Sequence, residues 1–365
     1  RQINPAEALT TVRINRRNRI DISGPVRAQK MSCTVTSGVS LQARPIAIAW
    51  HAGLPVFASE SFLQSVGDEY GWLGGFDESE QLHCILPYTI VRKFGFRMVR
   101  FRVETIPVLG ELDLEAERSF LNSAMSHFRS TGADMVLPAA NTALFRTCPD
   151  GALAAAYGTV INDLTRPSEA QFSAIGTDHR TNIRKATKAG VQIKSRVEYL
   201  DVAFNLIAET LKRSDVGFKS HAEFSKMMAS LGDNLKIFIA EHEGVTQAAL
   251  VAPFSDACAY GWYVGSTDKP LRGAVPLLHW EGIRAFTTMG VKKLNFTGVR
   301  IDPEKGSKQE GIANYKKRFG GSLVQGYVWK YSFRPAKFAA YSMGMRFFKG
   351  GDIVDQEHNR RVNAA

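Results

Sequence analysis

The sequence is poor in cysteine and has no long hydrophobic run. Its four cysteines, Cys33, Cys84, Cys148 and Cys258, are widely separated, which argues against a disulfide scaffold and against a structural zinc site. No run of 18 apolar residues occurs, so no membrane-spanning helix is predicted. The eight histidines stand in unrelated contexts, and no Ser/His/Asp or Cys/His triad can be assembled. We expect a protein without a bound metal, in the reducing cytoplasm.

The composition is that of a globular protein. The 365 residues are 44% hydrophobic and 22% charged, which excludes a disordered chain and predicts two domains at about 100–200 residues each. The net charge of +11 is uneven: residues 46–165 carry 8 Lys/Arg and 14 Asp/Glu, whereas residues 166–365 carry 30 and 19. This asymmetry indicates a phosphate-bearing partner for the second half, with a solvated basic surface as the alternative.

The pattern along the chain predicts a mixed α/β fold, with α+β sheets, in two lobes. Residues 191–334 have the order β-α-α-β-β-β-α-β-α-β, and residues 45–165 have a shorter version of it; tandem copies of one architecture explain both. The other segments are a basic, flexible N-terminal stretch (1–44), a basic linker helix (166–190), and a C-terminal helix and tail (335–365).

Several elements are predicted in detail because their signals are strong. An apolar helical period covers residues 114–130, before Gly132, and another covers residues 200–214. Ser220 and Glu223 form a capping box that opens a helix to residue 231. Residues 257–265 are predicted to be one continuous strand.

The linker helix carries a ridge of cations. Arg180, Arg184 and Lys188 recur at a spacing of four, which places them on one face of a helix that ends at Gly190. Like charges on one ridge repel, so the ridge needs water or an anion beside it. We take the three as candidate substrate-binding residues, with a solvated ridge as the alternative.

A polar loop and a short helix follow the strand at residues 292–297. The loop places Asp302, Glu304 and Lys308 at the carboxyl edge of a sheet, where α/β folds usually locate chemistry. We take Lys308 as a further candidate substrate-binding residue. Tyr315 lies on the buried face of the helix, and Lys316 lies about 100° round from it, at the margin of the core. By pattern alone a core tyrosine and a surface lysine are the alternatives.

A third segment, Arg272-Gly273-Ala274, opens a long helix. Free amides at a helix N-terminus bind phosphate, and Arg272 adds a positive charge. We take these residues as a candidate cofactor site, although many helices begin at a glycine.

These segments together resemble the GNAT acyltransferase fold and, within it, the Fem-type proteins. The stretch 180–191 is similar to the Fem pattern R-x-x-I-R-K-A-x-K-x-G-V, and Tyr315-Lys316-x-x-Phe319-Gly320-Gly321 is similar to the Fem F/Y-K-x-x-F-G helix. The segment from Trp280 to Gly298 resembles the Fem helix and strand that precede it. The resemblance covers about residues 45–335 and implies two tandem GNAT-like lobes.

The resemblance implies N-acyl transfer. Lys316 would stabilise the tetrahedral oxyanion with Tyr315 beside it, and Arg184 would meet a phosphate or carboxylate of the acceptor. The attacking amine must be neutral, and Asp302 and Glu304 are the candidate bases by loop position. We expect acyl-CoA, acetyl-CoA first, as the donor, and an amine of a cell-envelope or polysaccharide precursor as the acceptor.

Two alternatives remain open. Fem enzymes use aminoacyl-tRNA to modify the peptide stem of peptidoglycan precursors, but the short connection at residues 215–219 leaves no coiled-coil arm for docking tRNA. The other is a non-enzymatic binder of RNA or anionic lipid; we expect no DNA. The tail has Phe338, Tyr341, Met345 and Phe348 with Lys337, Arg346 and Lys349, an amphipathic basic helix that either lies on the inner face of a membrane or docks on the second lobe.

Overall fold

The computed structural model describes residues 13–14, 19–21, 38–139 and 143–364. The chain forms two compact units. The first contains residues up to His51, Val66–Ala155 and Tyr327 onward; the second contains Ala52–Ser65 and Ala156–Gly326.

The elements of the described residues are listed here in chain order. The helices are α1 (Glu60–Val66), α2 (Leu114–Ser130), α3 (Ser168–Ala174), α4 (Thr177–Lys188), α5 (Leu200–Lys212), α6 (His221–Ala229), α7 (Ala274–Thr288), α8 (Lys308–Lys317), α9 (Pro335–Lys349) and α10 (Ile353–Ala364). The strands are β1 (Arg13–Ile14), β2 (Arg19–Asp21), β3 (Gln42–Ile48), β4 (Glu69–Phe76), β5 (Leu82–Lys93), β6 (Phe96–Phe101), β7 (Ile106–Pro107), β8 (Met135–Val136), β9 (Leu153–Asp163), β10 (Gln192–Ser195), β11 (Leu235–His242), β12 (Val245–Pro253), β13 (Ala259–Tyr260), β14 (Tyr263–Ser266), β15 (Lys293–Val299) and β16 (Ser322–Ser332).

The first unit is a sheet covered by α2. Strands β3, β4, β5 and β6 pair antiparallel in sequence order, and β8 is parallel to β6. Helix α2 has the predicted bounds because Asp113 caps its first turn and Phe120, Leu121 and Phe128 lie on one buried face.

The second unit repeats this arrangement. Strands β10, β11, β12 and β14 pair antiparallel in order, and β13 is parallel to β15 across α7. Antiparallel strands, a helix and a returning parallel strand therefore occur in both units, which confirms the predicted mixed α/β fold with two GNAT-like lobes. The capping box of Ser220 and Glu223 is present at the start of α6.

The two units do not have the bounds of the predicted lobes, 45–165 and 191–334. The reason is that strands near the end of each predicted lobe pair with strands of the other one. Gly158–Asp163 of β9 pair with β15 in the second unit, and Tyr331 and Ser332 of β16 pair with β8 in the first. Residues 52–65 also belong to the second unit. Most of the segment 1–44 lies outside the described residues; within it β1 pairs with β2, and β2 with β3.

The C-terminal helix α9 packs on the first unit, whereas the docked alternative predicted from the sequence named the second lobe. Phe338 and Tyr341 contact the cluster of Met98, Met135 and Leu137. Met343 and Phe347 of the same helix are exposed; the side chains of Phe348 and Lys349 lie outside the described part. No helix of the described residues is long and apolar enough to span a membrane.

Candidate functional site

In the second unit, strands β13 and β14 follow each other along the chain, and the strand with which they pair changes at Gly261. Before this point Ala259 and Tyr260 of β13 pair with β15, and the Gly261 amide donates to Asn295 O at 2.9 Å. The next amide, of Trp262, donates to Val251 O of β12 at 3.1 Å, and β14 continues on β12. The predicted single strand 257–265 is therefore two strands, since its hydrogen bonds change partner at Gly261. A gap opens between β14 and the end of β15.

The end of β15 contains a bulge at Thr297. Its φ of +63° lies in the left-handed region, which is unfavourable for a β-branched residue. The Thr297 amide donates to Asn295 Oδ1 at 2.7 Å, and the Thr159 hydroxyl of β9 lies 2.5 Å from the same oxygen. These contacts hold a conformation in which the carbonyls of Thr297 and Gly298 both face α8.

Lys316 of α8 lies against these carbonyls. Its Nζ donates to Gly298 O at 3.0 Å and lies 3.5 Å from Thr297 O and 3.4 Å from Thr297 Oγ1. All of these partners are neutral, and burial lowers the pKa of the ammonium to about 8. At neutral pH the site therefore holds a positive charge at the open end of the strand gap, and no carboxylate of the described residues is paired with it.

Tyr315 is neutral and packs against the core of the second unit. Its hydroxyl is 3.3 Å from His279 Nδ1, and its ring packs with His179 and Phe319. Burial raises the pKa of Tyr315 well above its usual range and lowers that of His279 to about 4. The phenol and the imidazole are both uncharged at neutral pH, and their contact joins α8 to α7.

The other candidate catalytic residues are not bonded to Lys316. Asp302 and Glu304 are exposed in the loop before α8, and the three oxygens that hold the ammonium belong to Thr297 and Gly298. Lys308 donates to Ser214 Oγ at 2.6 Å. The loop thus places these residues near the start of α8, whereas Lys316 stands two turns further along the helix.

The predicted cation ridge is not a single anion site. The Arg180 guanidinium donates to the carbonyls of Ser173 (2.7 Å) and Ile175 and so caps the end of α3. The Arg184 guanidinium lies 5.5 Å from the Phe172 ring. Arg184 and Lys188 are exposed and stay candidate substrate-binding residues. Arg180 has a structural role because its Nη1 donates to these backbone carbonyls and its Nη2 donates to Thr177 Oγ1.

The start of α7 is covered by α4. Gly273 has a φ of +92°, and a Cβ there would lie 2.1 Å from Asn182 O. Arg272 Nε donates to Asn182 Oδ1 at 3.0 Å, and the Ala274 amide donates to Leu271 O at 2.9 Å. Residue 276 is a proline without an amide hydrogen. The first turn therefore offers few free donors to a phosphate group.

Comparisons with known proteins agree with this geometry. A family model described as "Acetyltransferase (GNAT) domain" matches residues 176–317, which include the strand gap and Lys316. None of the curated proteins matches the sequence.

Among solved structures, FemX is similar over 78% of this chain and 94% of its own, with 12% identity and a TM-score of 0.60. The C-terminal domain of a putative lysylphosphatidylglycerol synthetase from Agrobacterium fabrum is similar over 78% of this chain and 91% of its own, with 12% identity and a TM-score of 0.48. A tandem GNAT protein from the clavulanic acid biosynthesis pathway is similar over 81% of this chain and 99% of its own, with 13% identity and a TM-score of 0.44.

Residues 176–317 of the second unit therefore match a GNAT acetyltransferase domain, and this match indicates an acyltransferase. Its fold is Fem-like, as the similarity to FemX shows.

Proposed function

We propose that the protein transfers an acyl group from an ester or thioester donor to a primary amine, with Lys316 as the catalytic cation. The single observation that carries this proposal is the Lys316 ammonium at the strand gap, held by neutral oxygens only. A positive charge placed where negative charge develops stabilises the transition state of acyl transfer.

The reaction follows from this placement. The neutral amine attacks the donor carbonyl, the C–N bond forms, and the carbonyl oxygen takes up negative charge beside Lys316 Nζ. The tetrahedral intermediate then collapses, the bond to the leaving oxygen or sulfur breaks, and the amine proton passes to the leaving group. The exposed carboxylates of Asp302 and Glu304 remain the candidate bases that accept a proton from the incoming amine.

The pH dependence of transfer tests the charge on Lys316. We expect the rate, divided by the fraction of the amine substrate that is neutral at each pH, to fall above about pH 8, because Lys316 becomes neutral there. In Lys316→Arg the guanidinium stays charged, so the alkaline fall should disappear even if the rate is lower. A wild-type rate that, divided in the same way, does not fall by pH 9 would contradict the assignment.

The geometry favours an aminoacyl ester of tRNA as the donor. The start of α7, where a coenzyme pyrophosphate would be expected, is covered by Asn182, and its Ala274 amide is bonded within the turn. The excess of 11 positive charges in residues 166–365 suits a polyanionic donor. The acceptor we propose is an amine of a cell-envelope precursor, handled in the cytoplasm at the inner face of the membrane.

Acetyl-CoA is the second candidate donor, since the matching family model is described as an acetyltransferase. Calorimetric titration with acetyl-CoA, aminoacyl-tRNA and uncharged tRNA separates the two donors. We expect salt-sensitive binding of aminoacyl-tRNA and no micromolar binding of acetyl-CoA. Micromolar acetyl-CoA binding that weakens in Arg272→Ala, but not in the exposed control Lys212→Ala, would establish the coenzyme instead.

A further inference from the structure

The first unit has an apolar groove. Its cavity volume is about 520 Å³, and it lies between the β5–β6 hairpin and α9. Val91, Phe96 and Met98 line it from the sheet, and Ala340, Tyr341 and Gly344 line it from the helix. The two small residues of α9 leave the space that a larger side chain would fill.

Arg100 lies in this groove, and its side chain has no partner among the described residues. Phe96, Met98 and Arg100 are every second residue of β6, so the three side chains project to the same face of the sheet. The Arg100 Nε is buried without a hydrogen-bond partner, and no ion pair or hydrogen bond joins its guanidinium to the described residues. The carboxylate at the groove, Asp352, is already paired with Lys330 at 3.0 Å. Because an uncompensated cation in an apolar setting is costly, the groove fits a ligand that has an anion and an apolar part.

The rim of the groove exposes large apolar side chains among cations. Phe94, at the tip of the β5–β6 hairpin, is 84% exposed, as is Phe347, and Met343 is 71% exposed. Lys93 Nζ lies 5.1 Å from the Phe94 ring centroid. At 100° a residue, Phe347 lies only about 20° round α9 from Ala340, so the exposed rim continues the groove. Apolar side chains beside lysine and arginine are typical of surfaces that enter the interface of an anionic bilayer.

We propose that this face of the first unit docks on an anionic membrane and binds a phospholipid in the groove. The headgroup phosphate meets Arg100 and Lys93, an acyl chain lies along Val91, Phe96 and Met98, and Phe94 and Phe347 enter the interface. A free phosphate would leave the apolar walls in water, and an acidic protein surface would not bury the phenylalanines at the rim. Anionic lipid matches both the charge and the apolar lining.

Vesicle flotation of the full chain tests the proposal. We expect binding to vesicles of phosphatidylcholine with phosphatidylglycerol and none to phosphatidylcholine alone, with inorganic phosphate not competing. Phe94→Ser with Phe347→Ser should weaken binding at least about tenfold, and Arg100→Met about fivefold. The matched control is Val245→Ser, which removes a side chain that is 59% exposed in the second unit and should bind as the wild type does.

A stability measurement on Arg100→Met separates a binding role from a structural one. If Arg100 binds an anion that is absent from the free protein, Arg100→Met should have a higher Tm than the wild type, because the substitution removes a half-buried charge that is unpaired in the free protein. Equal binding to both vesicle types, no binding, or an equal loss in Val245→Ser would overturn the proposal. So would a lower Tm of Arg100→Met together with unchanged vesicle binding.

Discussion

Replacing Lys316 by methionine is expected to slow acyl transfer by about a hundredfold to a thousandfold at neutral pH. The variant keeps the length of the side chain but removes the positive charge beside the carbonyls of Thr297 and Gly298. The loss should appear in kcat and in kcat/KM alike, because the charge acts on the transition state. The measurement is the steady-state rate of transfer at saturating donor.

The same substitution should make the folded protein more stable. Burial lowers the folded-state pKa of Lys316 to about 8 from 10.5, so at neutral pH the charged side chain opposes folding. We expect the free energy of unfolding of Lys316→Met to exceed that of the wild type by about 1–3 kcal/mol at pH 7. The difference in the free energy of unfolding between the variant and the wild type should become smaller between pH 8 and 10.5, because in this range Lys316 is protonated mainly in the unfolded wild type. A destabilised, inactive variant would instead indicate a structural lysine.

Gly273→Ala is expected to destabilise the protein by about 3–5 kcal/mol. A methyl group there must adopt a φ of +92° and would lie 2.1 Å from the carbonyl oxygen of Asn182. Relief of this overlap requires α4 to move away from the start of α7, since the opposing atom is backbone. Thermal or denaturant unfolding measures the change.

Gly290→Ala is the matched control for Gly273→Ala. Gly290 follows the other end of α7 and has a φ of +78°, but a Cβ there would have no neighbour within 4 Å. It should therefore cost only the left-handed strain, about 1–2 kcal/mol. Equal losses in the two variants would mean that α4 does not cover the start of α7, and the argument against a coenzyme pyrophosphate there would fail.

Elements with a strong local signal could be predicted from the sequence. Helix α2 has the predicted bounds because Asp113 and Gly132 mark its ends and its apolar face repeats at the helical period. The capping box of α6 was visible for the same reason: both partners lie within four residues of each other. The order of elements in the second half then sufficed for the fold class.

Features that depend on distant partners could not be predicted. Strand β4 contains Gly71, Gly74 and Gly75, which are typical of a turn, but Gly75 is in the strand because the Phe120 ring occupies the space of its side chain. The division of residues 257–265 depends on Val251 and Asn295, which lie on two different strands. No local pattern records either relation.

In the candidate site, too, some residues could be predicted from a local motif and others depend on distant partners. Lys316 could be chosen from its motif and its position at the margin of the core. The bulge at Thr297 could not, because it depends on Thr159, which is 138 residues away. His279 was detectable in principle, as a polar residue on the apolar face of α7. The pattern at Arg180 predicts an anion partner because the carbonyls at the end of α3 that accept from its guanidinium are not visible in the sequence.

The most direct test of the central claim is a single-turnover measurement of aminoacyl transfer to the peptide stem of a peptidoglycan precursor, comparing Lys316→Met with Lys317→Met. Lys317 is the next residue of α8 and is exposed, so its loss changes the net charge equally without touching the strand gap. The account predicts a wild-type rate for Lys317→Met and a rate about a hundredfold or more lower for Lys316→Met. Equal rates in the two variants would contradict it.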